Sequence, residues 1–310
     1  MLPILAGIVL LYLGAEGLVR GSASLAIRAG VHPLVVGLTV VAFGTSAPEL
    51  TVSVSAAMKN LGEVAVGNVV GSNIFNIAII LGISSLLRPP TIHLNLLRRD
   101  IPIMMGVSLL GFALIAFGSV GRIAGLALLA LLAAYLVLTV RLARREKAIP
   151  AGEFPPPDAP SRTPLWLDLL LVAAGLSLLV WGANLFVAGA IDLARTLGVS
   201  EAVIALTIVA GGTSLPELAT SIVAAVKKQP DIAVGNVVGS NIFNILCILG
   251  ATAAVRPIDV GGIGLGDAAV MLGLSVVLLP LAVTQRRISR PEGLGLLLAY
   301  AAYLAWRWPM

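Results

Sequence analysis

An all-α polytopic membrane protein, its ten transmembrane helices arranged as two inverted five-helix repeats, is the fold class that this sequence predicts. Three observations predict it. The composition suits a chain dissolved in lipid: 58% of its 310 residues are hydrophobic and 11% charged, with a mean hydropathy of +1.03, outside the balance of water-soluble domains. Ten stretches approach the ~20 mostly apolar residues that a spanning helix needs. Residues 31–89 recur without a gap 168 positions later, at 199–257, with 34 of 59 positions identical, which chance does not supply.

The ten expected spans are 2–19, 34–58, 64–87, 100–119, 122–142, 165–190, 201–226, 231–254, 266–284 and 292–308. The first lacks a basic n-region and an A-x-A cleavage site, so it reads as a retained helix and not as a signal peptide. The net charge of +5 could suggest nucleic acid, but the basic residues stand between spans and form no stripe with interleaved aromatics. With the N-terminus outside, fifteen Lys and Arg fall in inner loops. Five fall outside: Lys59, Arg122, Arg195, Arg256 and Arg307. That bias predicts both termini outside. The lone Cys247 cannot form an internal disulfide and reads as a small buried hydrophobe.

Five spans per repeat is an odd number, so the second copy enters the membrane from the opposite side. Inverted repeats with interrupted helices are how secondary transporters build a midplane site open alternately to either face. The first repeat occupies 1–143 and the second 165–310. Between them "RREKAIPAGEFPPPDAPSRTP" (144–164) is proline-rich and polar, an extended cytoplasmic linker.

"GTSAPE" (44–49) and "GTSLPE" (212–217) interrupt apolar sequence in each repeat. Pro48 and Pro216 lack an N–H and clash with the preceding turn, which frees backbone carbonyls. Ser46 with Glu49, and Ser214 with Glu217, have the S-x-x-E spacing of a capping box. Capping is the ordinary reading of that spacing in a soluble protein. Deep in a membrane, a carboxylate costs roughly 2.5–3.5 kcal/mol on insertion scales and marks an ion or substrate path, so the functional reading leads. In the next span Asn68, Ser72 and Asn76 fall on one helix face, repeated by Asn236, Ser240 and Asn244. Asn73 and Asn241 point about 100° away and are assigned to holding neighbouring helices. Gly67, Gly71, Gly235 and Gly239 form G-x-x-x-G spacings suited to close packing.

Two carboxylates, hydroxyls, amide oxygens and free carbonyls with no basic residue nearby suit a hard cation. Calcium takes several oxygen ligands in flexible geometry and is balanced by two carboxylates. Magnesium demands tighter octahedral placement, whereas sodium can share the same oxygens.

Paired "GTSAPE" and "GNVVGSNIFN" motifs in a ten-span chain resemble the α-repeats of the sodium/calcium exchanger family, in the calcium:cation antiporter superfamily, and the chain looks like its prokaryotic members. The resemblance covers both repeats and omits only the linker. It implies an integral cell-membrane protein, not an enzyme, that needs no cofactor and exchanges Ca2+ for Na+ at four sites enclosed by the second, third, seventh and eighth helices. By motif position, Glu49 and Glu217 become shared calcium and sodium ligands, with Thr45 and Thr213 giving backbone carbonyls. Ser46, Ser214, Ser72, Ser240 and the carbonyls of Ala42 and Ala210 complete the sodium sites. Asn76 lies at the central site. Asn244 stands where some microbial and potassium-dependent members resemble each other in carrying Asp, which argues against potassium dependence.

In the family the first and sixth helices slide to expose the site, so Glu16 and its repeat partner Asn184 are candidates for gating. Glu16 also stands one turn from Arg20, a spacing that suits an ion pair. A proton/calcium antiporter is the nearest rival, although such exchangers typically resemble "GNA-E" where this chain has "GTS-PE". A cation channel is a third reading, disfavoured because channels build symmetric pores.

Overall fold

Residues 2–145, 164–197, 210–261 and 265–307 are described in the computed structural model. The expected linker apart from its edges, and the first part of the seventh expected span (201–209), lie outside them. Among the described residues the chain is helices joined by short connections, with one two-stranded ladder and one isolated bridge. Its helices are α1 (Leu2–Ala29), α2 (Pro33–Thr45), α3 (Ala47–Met58), α4 (Gly62–Leu87), α5 (Leu96–Ala116), α6 (Arg122–Arg145), α7 (Leu165–Thr196), α8 (Leu215–Val226), α9 (Pro230–Val255), α10 (Leu265–Val283) and α11 (Arg290–Arg307). Seven are long and apolar enough to cross a membrane, and α2 with α3 passes the same test as a pair bent by 44°.

Helix α1 was expected to end at 19 and runs to Ala29. Hydropathy follows lipid contact, whereas helix formation needs only backbone bonding, so the helix continues through Arg20, Ser22, Ser24 and Arg28. At 28 and 32 residues, α1 and α7 measure about 42 and 48 Å at 1.5 Å per residue. Both exceed a ~30 Å hydrocarbon core and must tilt or protrude.

The ends of these helices follow local rules. After α1, Gly30 takes φ +62° while Val31 N bonds Ala26 O and Gly30 N bonds Ile27 O, a left-handed stop that glycine permits. The same pair of bonds ends α3 and α8. Leu61 N bonds Ala56 O and Gln229 N bonds Ala224 O, with Asn60 and Lys228 at φ 63° and 62°. Identical stops 168 residues apart are the repeat expressed in backbone.

Two buried cores result. The larger is centred on α4 and α9 and takes in α2, α5, α6 and α10; the smaller joins α1, α7 and α8. Helices α1 and α7 run antiparallel in backbone contact, through glycines seven residues apart on each: Gly7, Gly14 and Gly21 against Gly175, Gly182 and Gly189. A Cβ on Gly14 would lie 2.8 Å from Gly175 O, and one on Gly182 would lie 2.8 Å from Leu11 N. A seven-residue repeat keeps such a stripe on one face. Gly182→Leu therefore has to part the helices, at a cost of about 1–3 kcal/mol for overpacking. We expect its melting midpoint in detergent to fall by several degrees. Gly106→Leu is the control, because a Cβ at Gly106 meets no atom within 4 Å; equal midpoints would show that the contact is dispensable.

Connections pair at each end of the bundle. At one end Ser119–Val120 and Ile258–Asp259 form a two-stranded ladder, and Arg256 Nη1 donates to Met58 O at 3.2 Å. At the opposite end Thr91 bridges Arg287, the rings of His32 and His93 lie 4.6 Å apart, and Arg28 Nη2 meets the buried Asp168 Oδ2 at 2.9 Å. That ion pair ties the end of α1 to the start of α7.

Candidate ion-binding site

The site is built from the broken helix α2–α3, the short turn that leads from Ala210 into α8, and the helix that follows each. Ser46 separates α2 from α3 with φ −81° and ψ 6°, and Ser214 precedes α8 with φ −88° and ψ 8°. Pro48 and Pro216 each stand in the first turn after the break, where the missing N–H has no helical partner to lose. Each break sets carbonyls ending one half-helix against the positive start of the next. The carbonyl end favours a cation, and the first turn favours the charge of Glu49 or Glu217.

The expected capping box does not form. Neither Ser46 nor Ser214 makes a side-chain cap bond. Ser46 Oγ instead donates to Glu217 Oε1 at 3.0 Å, and Ser214 Oγ donates to Glu49 Oε1 at 3.0 Å. A hydroxyl gains about twice as much from a carboxylate as from a neutral partner, and the packing of the two breaks against each other brings that carboxylate within reach. Ser214 Oγ also lies 3.2 Å from Ser72 Oγ.

Further bonds repeat the exchange between halves. Thr45 Oγ1 lies 3.1 Å from Asn236 Oδ1, and Thr213 Oγ1 lies 3.3 Å from Asn68 Oδ1. Asn68 Nδ2 donates to Glu49 O at 3.0 Å and Ser53 Oγ at 2.9 Å; Asn236 Nδ2 donates to Glu217 O at 3.3 Å and Ser221 Oγ at 3.1 Å. Asn68 and Asn236 thus pin each glutamate-bearing turn to the following helix, the packing role that their position allows. Ala42 O accepts Ser46 N at 3.1 Å. Ala210 is the first described residue of its segment, which places its carbonyl just ahead of the second break.

Asn76 and Asn244 each open a wide π turn, Asn76–Leu81 and Asn244–Leu249. Such turns inside α-helices gather at functional sites. Asn76 Nδ2 donates to Asn241 Oδ1 and Asn244 Nδ2 to Asn73 Oδ1, both at 3.2 Å. Asn73 of α4 thus meets the amide of Asn244 on α9, and Asn241 of α9 meets that of Asn76 on α4. The packing expectation is met in the second repeat, where a Cβ on Gly235 or Gly239 would come within 3.1 Å of α2, but not at Gly71, where a Cβ meets no described atom within 4 Å.

Comparison with known proteins agrees with this architecture. Residues 1–141 and 167–308 match the model of the sodium/calcium exchanger protein family. The chain belongs to that family. It is 39% identical to CaxA of Alkalimonas amylolytica, over 97% of this chain and 96% of that protein. It is 33% identical to sodium/calcium exchanger MaX1 of Methanosarcina acetivorans, over 98% and 97% respectively. A solved structure of the sodium-calcium exchanger NCX_Mj, soaked with 2.5 mM Na+ and 0.1 mM Ca2+, superposes with a TM-score of 0.82 at 33% identity, covering 98% of this chain and 96% of that one.

In this exchanger-family chain five oxygens around the breaks are buried without a hydrogen-bond partner: Glu49 Oε2, Glu217 Oε2, Asn76 Oδ1, Asn244 Oδ1 and Ser240 Oγ. An unpaired buried acceptor costs about 1–3 kcal/mol, more if charged, a cost that a cation bound to it would remove. Among the described residues no three His, Cys, Asp or Glu side chains cluster as a metal site. The two carboxylates stand among neutral hydroxyl and amide oxygens, a donor set that suits hard cations better than softer metals.

Glu16 and Asn184 differ in setting. Glu16 pairs with Arg20 as the sequence suggests, but also with Lys227 Nζ at 2.6 Å, which ties α1 to the end of α8. Its long-range partner was not legible, because Lys227 reads only as an inner-loop charge. Asn184 is exposed and lines a groove of about 640 Å³ with Phe43, Gly44, Ala47 and Trp181. Asp168 is a further residue that the sequence reading did not single out. Its signal was a lone acid at the start of a long apolar helix, opposite Arg28.

Proposed function

We propose that this protein is a sodium-driven calcium antiporter that works by alternating access, with Glu49 and Glu217 as the charged ligands of a midplane site. The observation that carries this reading is the set of five unpartnered buried oxygens, two of them from carboxylates, on α3, α8 and the helices that follow them. Thr45, Thr213, Ser46, Ser214, Ser72, Ser240, Asn76, Asn244 and the carbonyls of Ala42 and Ala210 supply neutral oxygens. The larger core holds the site while α1 and α7, packed as one glycine-lined pair, move across it. The NCX_Mj structure soaked with sodium and calcium supports both ions as substrates here. Calcium-45 uptake into sodium-loaded proteoliposomes tests the proposal: uptake that requires internal sodium is expected, and sodium-independent uptake overturns the coupling.

Ten crossings with both termini outside complete the reading. The end-to-end contacts support it, because Arg256–Met58 joins two loops assigned outside and Arg28–Asp168 joins two segments assigned inside. Cysteines placed singly at Lys59 and Arg99, in a Cys247→Ala background, should react with an impermeant thiol reagent from outside and inside respectively. Labelling of both from one side would break the helix count.

A further inference from the structure

We propose that Asn73 and Asn241 are positioning residues that fix which atom Asn244 and Asn76 turn toward the ion, and that Met271 and Met104 set the polarity of the two relays. The inference rests on Asn76 and Asn244 being ligands. An asparagine amide can face a cation usefully only with Oδ1, yet by shape alone it fits its cavity almost equally well flipped. Something must choose.

In each half the choice starts at sulfur. Asn73 Nδ2 lies 3.4 Å from Met271 Sδ, and Asn241 Nδ2 lies 3.6 Å from Met104 Sδ. A thioether accepts weakly and cannot donate, so it favours the NH2 side of its asparagine. Asn73 is left with Oδ1 facing Asn244, and Asn241 with Oδ1 facing Asn76. Those oxygens accept the Nδ2 of their partners at 3.2 Å. Asn244 and Asn76 must then present Oδ1 on the other side, and those two oxygens are buried without partners. All four asparagines are only 1% exposed, so water cannot substitute at any step.

The relays cross between repeats. Met271, from α10, acts through Asn73 of α4 on Asn244 of α9; Met104, from α5, acts through Asn241 of α9 on Asn76 of α4. The crossing separates a positioning role from a general structural one. Asn73→Ala should weaken equilibrium calcium-45 binding to the purified protein by about 10–100-fold, the usual effect of losing a partner that orients a metal ligand. Met271→Leu keeps the volume and loses the acceptor, and should weaken binding several-fold, beyond the modest fall in ion-free melting midpoint that an unpaired buried donor causes.

The decisive measurement is a pair of double-mutant cycles on that binding constant. Asn73→Ala should add nothing in an Asn244→Ala background, because its only route to the ion has gone, and should add its full factor in an Asn76→Ala background. Additivity in both cycles, or no effect of Met271→Leu, would overturn the relay. An unchanged affinity in Asn244→Ala would be a different failure, since it would remove the ligand role on which the relay depends.

Discussion

Glu49→Gln and Glu217→Gln are each expected to abolish calcium transport in proteoliposomes while the protein still folds and inserts. Both side chains are only 1% exposed, and each has one carboxylate oxygen held by a serine of the other repeat and one without a partner. Glutamine keeps the shape and an oxygen for that serine but removes one of the two charges that balance a dehydrated divalent cation. Taking one partner from a buried charge pair costs about 3–5 kcal/mol, roughly a hundredfold or more in affinity. Without an ion the sign reverses, because a neutral amide is cheaper to bury than a carboxylate. The variants should therefore melt at or above the wild-type midpoint in chelator and lose the upward shift that calcium gives the wild type through binding linkage. Near wild-type exchange in either variant would remove the site.

Much of this site was legible because the chain states it twice. Glu49 and Glu217 stood out as acids in apolar sequence, and the oxygen set around them was read before any geometry. What stayed hidden was the crossing of bonds between halves. Ser46 with Glu49 looks like a local cap, whereas its partner Glu217 is 171 residues away, and no local spacing rule reaches that far. The relays were hidden for a narrower reason. The ungapped match ends at residue 89, and a shift of 167 residues instead of 168 is needed to align Met104 with Met271 and Ser108 with Ser275. Ser108 and Ser275 meet hydroxyl to hydroxyl at 3.0 Å. The glycine stripes of α1 and α7 were open to inspection, but hydropathy scores glycine as neither core nor lipid face, so a contact made by backbone left no apolar signal.

The charge of the core also decides how the exchanger should respond to voltage. Two ionised glutamates give about −2, and Asn76 and Asn244 add oxygens without charge, so one calcium leaves the loaded site near neutral. If three sodium ions replace that calcium, the site is left near +1. The calcium-loaded limb then carries almost no charge across the membrane, and the sodium-loaded limb carries one per cycle. A potential of 100 mV, negative inside, adds about 2.3 kcal/mol to calcium expulsion per cycle, roughly fiftyfold in the calcium gradient held at equilibrium. Two protons exchanged for one calcium would move no net charge. Proteoliposomes clamped with potassium and valinomycin separate the two, with a parallel assay free of potassium to show that potassium is not itself a substrate. Sodium-dependent calcium flux should follow the clamp, and a pH gradient in sodium-free buffer should drive little. Strong proton-driven exchange that ignores voltage would replace sodium with protons as the driving ion and leave the two-glutamate calcium site standing, because a carboxylate that binds sodium can bind a proton in its place.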